Sequence, residues 1–240
     1  MNAIILAAGR GSRLKNLTDT MPKCLIEIND KSLLSRQLDI YNSINLISKI
    51  AIVRGYLKDQ IQDYRINKYF ENHKWENTNM VSSLYSSREI LNKRDSIISY
   101  GDIFFGEKII KDLISDPNDI VIAYDINFKN LWTKRFENPL DDLETFKIDE
   151  NNFLLGIGEK PGEIKNIQGQ YMGLLKITRD GWKTIDKLLC KFNFDNLDMT
   201  QLLNIAIKEK IKIKVVQNSE VWGEVDTPKD IMLYENEYDI

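Results

Sequence analysis

Met1-Asn2-Ala3-Ile4-Ile5-Leu6-Ala7-Ala8-Gly9-Arg10-Gly11-Ser12-Arg13-Leu14 opens the chain, and Pro22-Lys23-Cys24-Leu25 follows soon after. The apolar block ending at Leu6 reads as a short buried strand. It empties into a loop of small residues, which leaves backbone N–H groups unobstructed, and such groups bind anions. Gly9 and Gly11 let the backbone approach a ligand closely and tolerate a positive φ. Arg13 and Lys23 set two cations beside the loop. Together these features predict a site for a polyphosphate. A Gly-x-Gly after a strand is, taken alone, also what a tight turn looks like. Leu14 stands where the dinucleotide-binding fingerprint needs its third glycine, and no Gly-Lys-Ser/Thr of a Walker A loop follows.

At 240 residues the chain suits one α/β domain that buries about three quarters of its unfolded surface. Hydrophobic residues make up 42% and charged residues 29%, an ordinary balance for a globular protein. The net charge of −3 gives no basic field for nucleic acid. No apolar run approaches the roughly 18 residues that would span a bilayer, and the N-terminus lacks a signal-peptide pattern. The expectation is a cytoplasmic protein without membrane insertion, as monomer or homodimer. Cys24 and Cys190 have no metal spacing, and His73 is the sole histidine, which argues against a His-based triad or a zinc centre.

Strand and helix alternate through the first half. The patterning predicts strands over 49–53, 96–99 and 119–124 and helices over 32–44, 57–69 and 80–92. Residues 128–163 read as turns and short hairpins, with Gly156, Gly158, Pro161 and Gly162 as punctuation. A strand over 170–177, helices over 180–192 and 199–208 and a strand over 212–216 follow. Thr227-Pro228 opens a last helix, with a cap residue, a proline at the first position and Asp230 in the first turn. The expected fold is α/β: a Rossmann-like, mostly parallel sheet flanked by helices. It forms one domain over 1–240, with a small β-rich substrate lobe at about 128–177.

The opening string, from Leu6-Ala7-Ala8-Gly9 to Pro22-Lys23-Cys24-Leu25, resembles the N-terminal signature of the sugar-phosphate nucleotidyltransferase superfamily, whose fold is GT-A-like. The likeness extends to about Tyr234. Ile97-Ile98-Ser99-Tyr100-Gly101-Asp102 ends an apolar strand in a carboxylate, and ligands of open α/β sheets bind off such strand ends. Beside a triphosphate site a carboxylate suits Mg²⁺; alone, it also suits a turn. Trp222-Gly223-Glu224-Val225-Asp226-Thr227-Pro228 resembles the segment that supplies a second metal ligand, so the resemblance pairs Asp226 with Asp102 on one Mg²⁺. In metal-free protein the two like charges should repel. Glu224 is an alternative ligand.

The resemblance assigns the nucleotide to Leu6, Ala7, Ala8, Gly9, Gly11, Ser12, Arg13, Lys23, Gly55, Tyr56, Asn77, Asn79, Ser82, Tyr100 and Gly101. Of these, Asn77, Asn79 and Ser82 lie in Trp75-Glu76-Asn77-Thr78-Asn79-Met80-Val81-Ser82-Ser83-Leu84, similar to a stretch of phosphocholine and aminoethylphosphonate cytidylyltransferases. Asn77 to Asn79 also read as a helix cap. Gly158-Glu159-Lys160-Pro161 resembles the segment whose lysine contacts the acceptor phosphate, and Gln170-Tyr171-Met172-Gly173 the strand that lines the acceptor pocket. Leu131-Trp132-x-x-Arg135-Phe136-x-Asn138-Pro139-Leu140-Asp141-Asp142-x-Glu144 looks like the insert of cytidylyltransferases acting on small phosphonates, or on phosphoglutamine for bacterial capsules. Trp132, Phe136 and Tyr171 could face an ammonium group whose charge Asp141, Asp142 and Glu144 balance; a solvated, aromatic-pinned hairpin is the equal alternative. Acceptor contacts are thus expected from Lys160, Glu159, Tyr171, Trp132 and Arg135, and catalysis from Arg13, Lys23, Asp102 and Asp226. The expected reaction is in-line transfer of CMP from CTP to a small phosphorylated or phosphonate acceptor. Transfer to a sugar 1-phosphate from UTP or dTTP and an inactive nucleotide-binding partner are the alternatives.

Overall fold

Ala3, Ile4 and Ile5 are all fully buried. A run with no polar alternation is the mark of a strand covered on both faces, and here it sits inside a parallel sheet. The computed structural model describes residues 1–238. Among them, seven strands form the main sheet: β1 (Asn2–Ala7), β2 (Lys49–Arg54), β3 (Lys68–Glu71), β4 (Ser96–Tyr100), β5 (Ile120–Asp125), β6 (Gln170–Ile177) and β7 (Lys214–Gln217). Their spatial order is β7-β5-β6-β4-β1-β2-β3. β1 pairs parallel with β2 and β4, β2 with β3, and β5 with β7, while β6 runs antiparallel between β4 and β5.

Register fixes the working rim. Leu6 lies opposite both Val53 and Tyr100, so β1, β2 and β4 release their carboxyl ends side by side. The reversal of β6 brings its opening residues to the same rim, where Tyr171 lies opposite Tyr124. The ladder slips between Tyr171 and Leu175, and there Gly173 takes φ +68 against the Tyr100 ring. A Cβ on Gly173 would stand 2.6 Å from Tyr100 Cδ2, so close packing as well as φ requires glycine.

Helices cover the sheet: α1 (Leu33–Ser43), α2 (Met80–Ser86), α3 (Arg88–Leu91), α4 (Glu107–Ser115), α5 (Phe128–Arg135), α6 (Arg179–Leu189), α7 (Met199–Lys208) and α8 (Pro228–Glu237). None is long and apolar enough to cross a membrane, among the described residues. α7 and α8 both start with capping boxes, Asp198 with Gln201 and Thr227 with Asp230. The second realises the cap expected at Thr227-Pro228.

Three expectations need correction. Residues 57–69 are not a helix: Leu57 takes φ +44, a short 3₁₀ turn spans Lys58–Gln60, and the backbone then extends into the edge strand β3. Pairing with β2 overrides the weak helical spacing there. The helix expected over 80–92 is two, α2 and α3, meeting at Ser87. Residues 128–163 are not all turns and hairpins, because they begin with α5. Its buried Phe128, Leu131, Trp132 and Arg135 lie at helical spacing, a pattern present in the sequence. The residues 128–177 therefore hold this helix, one small hairpin (Phe146–Ile148 with Leu154–Ile157) and β6, which belongs to the main sheet.

Candidate active site

Two clefts open along the rim and meet at Met80 and Asp102, which line both. The first, of about 660 Å³, runs over the end of β1. Leu6, Ala7, Ala8, Gly9 and Gly11 form its floor with Gly101, and Trp75, Thr78, Asn79 and Ser83 form the facing wall. Close backbone approach shapes this floor: a Cβ on Gly101 would lie 2.8 Å from that of Ala7, whereas one on Gly9 would meet nothing within 4 Å. Gly9→Ala should therefore melt like the parent yet bind nucleotide less well. Gly101→Ala should cost about 1–3 kcal/mol of stability, or roughly 2–12 °C of Tm. Thermal melts with and without nucleotide check both, and a normal melt for Gly101→Ala would refute the packing argument.

At the junction stands a cluster of charges. Lys23 Nζ donates to Asp102 Oδ2 at 2.7 Å and to Asp226 Oδ1 at 2.7 Å. Arg13 Nη2 donates to the same Asp226 oxygen at 2.8 Å and its Nη1 to Asp142 at 3.2 Å. Behind them, the fully buried Arg135 spreads its guanidinium over Glu224 (2.7 Å), Asp226 (3.1 Å) and Asp230 (2.9 Å). Burial alone would lower the Lys23 ammonium, but Asp102 and Asp226 outweigh it and hold its pKa above the usual lysine range. Burial pushes the Asp226 carboxyl up, but Lys23, Arg13 and Arg135 together hold it below the ordinary range. The repulsion expected between Asp102 and Asp226 is thus relieved by cations within the chain itself.

One atom stands out from this satisfied network. Asp102 Oδ1 is buried and has no hydrogen-bond partner. Buried carboxylate oxygens are ordinarily paired, so an unpaired one at a cleft junction has capacity to accept from a donor or ligate a cation. Two carboxylates at a polyphosphate site are the donor set that Mg²⁺ takes, completed by phosphate and water oxygens.

The second cleft, of about 850 Å³, is bounded by Arg13, Tyr100, Tyr171, Gly173 and the first turn of α7 (Asp198, Met199 and Thr200), with Asp142, Glu144, Glu224 and Asp226. Burial lifts the Glu144 carboxyl above its ordinary range; the Thr200 hydrogen bond opposes this, and Asp198 and Asp142 add to it. Burial likewise pushes Glu224 up to about 7, with Arg135 opposing and Asp226 and Asp142 reinforcing the shift. This wall carries more negative charge than its own cations balance.

The chain matches the MobA-like NTP transferase domain over residues 3–143. It belongs to that family. Over 250 aligned residues it is 35% identical to the CTP:phosphoglutamine cytidylyltransferase of Campylobacter jejuni subsp. jejuni serotype O:2, covering 96% of this chain and 98% of that protein. Its fold superposes on the CTP:phosphocholine cytidylyltransferase of Streptococcus pneumoniae with TM-score 0.75 and 23% identity, over 98% of this chain and 97% of that one. The inositol-1-phosphate CTP transferase of T. maritima superposes with TM-score 0.75 and 19% identity, over 98% and 96%.

In this NTP transferase, of the residues expected at the nucleotide, Leu6 to Gly9, Gly11, Lys23, Asn79 and Gly101 come together along the first cleft. Several others do not. Arg13 and Tyr100 line the second cleft instead. Ser12 and Asn77 are exposed away from both clefts. Ser83, rather than Ser82, faces the first cleft, because the α2 helix turns Ser82 towards the Asp195 carbonyl. Gly55 lies against Trp75, and the Tyr56 hydroxyl donates to the Thr18 and Asp19 carbonyls, so both brace the wall from behind.

On the acceptor side, Tyr171 faces the cleft, edge-on to Tyr100 at 6.0 Å. Trp132 cannot offer a face to any ligand: it is fully buried and its indole N–H donates to Asp142 at 3.1 Å. Arg135 is likewise no acceptor contact, since every one of its ion pairs is internal. Phe136 packs against Arg135, and Asp141 accepts from Asn138 outside the cleft, while Asp142 and Glu144 do line it. Glu159 and Lys160 are exposed and line neither cleft. Sequence reasoning missed Trp75, Thr78, Asp198 and Thr200. The Asp198-x-x-Gln201 box announces a helix start, but nothing in one sequence says that this start faces the site.

Proposed function

We propose that this protein transfers CMP from CTP to a small phosphorylated or phosphonate acceptor that carries an amine, with release of pyrophosphate. The observation that carries the reading is the meeting of the two clefts at Asp102, one floored by the glycine loop and the other walled by acids. A phosphorylated acceptor is largely dianionic near pH 7, with a second pKa of about 6 for a phosphomonoester. It needs no protein base to act as a nucleophile. The work left to the protein is to bring two anions together in line, which calls for positioning and fixed positive charge.

Lys23 and Arg13 carry that charge at the junction, within reach of phosphates in either cleft. Asp102, with its unpaired oxygen, and Asp226 would hold Mg²⁺, which when bound neutralises charge on the reacting phosphates. Cys24 is no nucleophile, since burial pushes its thiol up to about 12. The acids Asp142, Glu144 and Asp198 favour an acceptor whose ammonium group balances them, and the Tyr100 and Tyr171 rings offer apolar and π surface to it. The full-length similarity to a phosphoglutamine cytidylyltransferase supports the same acceptor class.

Pyrophosphate release on ATP, GTP, UTP and CTP, each with phosphocholine, 2-aminoethylphosphonate, phosphoglutamine and glucose 1-phosphate, tests this. CTP with at least one amine-bearing acceptor should turn over, and the purine triphosphates should not. Turnover with glucose 1-phosphate and UTP alone would move the protein to the sugar-nucleotide class. No turnover with any pair, despite nucleotide binding, would make it a binding partner.

A further inference from the structure

The Lys23 ammonium sits between the two carboxylates proposed above to hold the metal, 2.7 Å from an oxygen of each, with its side chain only 13% exposed. Its stem lies along the loop: Gly11 takes φ +71, and a Cβ there would stand 2.6 Å from Lys23 Cδ. We propose that Lys23 is the resident counter-ion of these two carboxylates. A divalent cation then displaces Lys23, weakly when it arrives alone and readily when a triphosphate receives the ammonium, so that metal and nucleotide bind as a coupled pair.

The carboxylates are the fixed partners in this exchange. Arg135 holds Asp226 Oδ2 from behind, so Asp226 stays in place when Lys23 leaves its Oδ1. Lys23 is the movable partner: a point charge on a flexible four-carbon stem that also lines the nucleotide cleft. A divalent ion bridging Asp102 and Asp226 would stand where the ammonium now stands, and Asp226 Oδ1 already accepts from both Lys23 and Arg13, so a metal there displaces the ammonium rather than joining it. A metal arriving alone must therefore evict the ammonium with nothing to receive it. A metal arriving with a triphosphate gives the ammonium a new anionic partner in the adjoining cleft.

The proposal rests on Asp102 and Asp226 forming the metal site. Its test is Mn²⁺ binding followed by the EPR signal of free Mn²⁺, on wild type and Lys23→Met, with and without a CTP analogue that cannot be cleaved. Removing the competing ammonium should tighten binding of Mn²⁺ alone by about tenfold or more, the scale of one charge-assisted hydrogen bond. The analogue should tighten Mn²⁺ binding to wild type far more than to Lys23→Met. Folded Lys23→Met that binds Mn²⁺ alone no better than wild type overturns the proposal. If that variant lacks a native melting transition, labelling decides on wild type: acetylation of Lys23 by acetic anhydride, read by mass spectrometry, should rise severalfold at saturating Mn²⁺. Unchanged labelling overturns the proposal equally. The metal site itself fails separately, if Asp102→Asn leaves Mn²⁺ affinity in the presence of the analogue unaltered.

Discussion

Asp102→Asn is expected to lower turnover by about a hundredfold or more, the scale on which a key charge stabiliser is lost. The folded state should survive it. Asp102 is partly exposed, and Lys23 keeps its bond to Asp226 when the other partner loses its charge. A cost of about 1–2 kcal/mol is in keeping with one charge-assisted hydrogen bond. Asp226→Asn should lose as much activity, but it is a less clean probe. The Asp226 side chain is 4% exposed and accepts from Lys23, Arg13 and Arg135, so removing its charge leaves three cations short of a partner. It should cost about 3–5 kcal/mol as a broken buried ion pair. The double variant should turn over little more slowly than either single one, because the two act as a unit. Metal-dependent turnover per folded molecule, with Tm on the same samples, checks all three. Fully active Asp102→Asn protein would overturn the mechanism.

An equally large stability effect is expected from Arg135→Met, a substitution in a residue that touches neither cleft. Met fills the space beside Trp132 and Phe136 but leaves Glu224, Asp226 and Asp230 without their common counter-ion. Stranding buried charge costs about 3–5 kcal/mol, or roughly 6–20 °C of Tm for a chain of this size. Arg135→Lys should recover only part of the loss, since one ammonium cannot span three carboxylates as the guanidinium fork does. The effect should depend on pH. In the parent, Asp226 is held below its ordinary range, so its contribution is present at neutral pH and fades as pH falls through its native value. In the variant Glu224, which burial already raises, loses the cation that opposes the shift, so it binds a proton still more readily in the native state than in the unfolded chain and acidification should stabilise the variant. The gap in Tm should therefore narrow as pH falls from the alkaline side to about 7, where Glu224 of the parent takes up its proton as well. A gap that stays constant would mean that the loss is one of packing.

The parts of the site legible in the sequence are those in which a local rule has a single chemical outcome. The run Ala3-Ile4-Ile5-Leu6 needs both faces covered and so sits inside a parallel sheet; the loop after it cannot carry bulk; Asp102 follows directly on an apolar strand and so reaches the rim. Thr227-Pro228 starts a helix for reasons contained within four residues. These features placed the glycine-floored cleft and the two carboxylates. The misreadings fell where a distant partner overrides the local pattern. β3 is a strand because β2 offers it an edge, and Trp132 and Arg135, read as ligand contacts, are buried because α5 turns them towards Asp142 and the Glu224–Asp230 segment.

By itself, then, the sequence determined the central strands of the sheet, the glycine loop and the chemistry of its charged residues, because backbone periodicity and side-chain pKa classes are local properties. Tertiary structure alone decided which charges share a site. Lys23, Asp102 and Asp226 lie 79 and 203 positions apart along the chain from Lys23 yet share hydrogen bonds, and the acids of the second cleft come from the insert, the start of α7 and the segment before α8. The physical reason is that electrostatic energy depends on separation in space and on burial, and neither is set until the sheet order and the antiparallel course of β6 bring these segments to one rim.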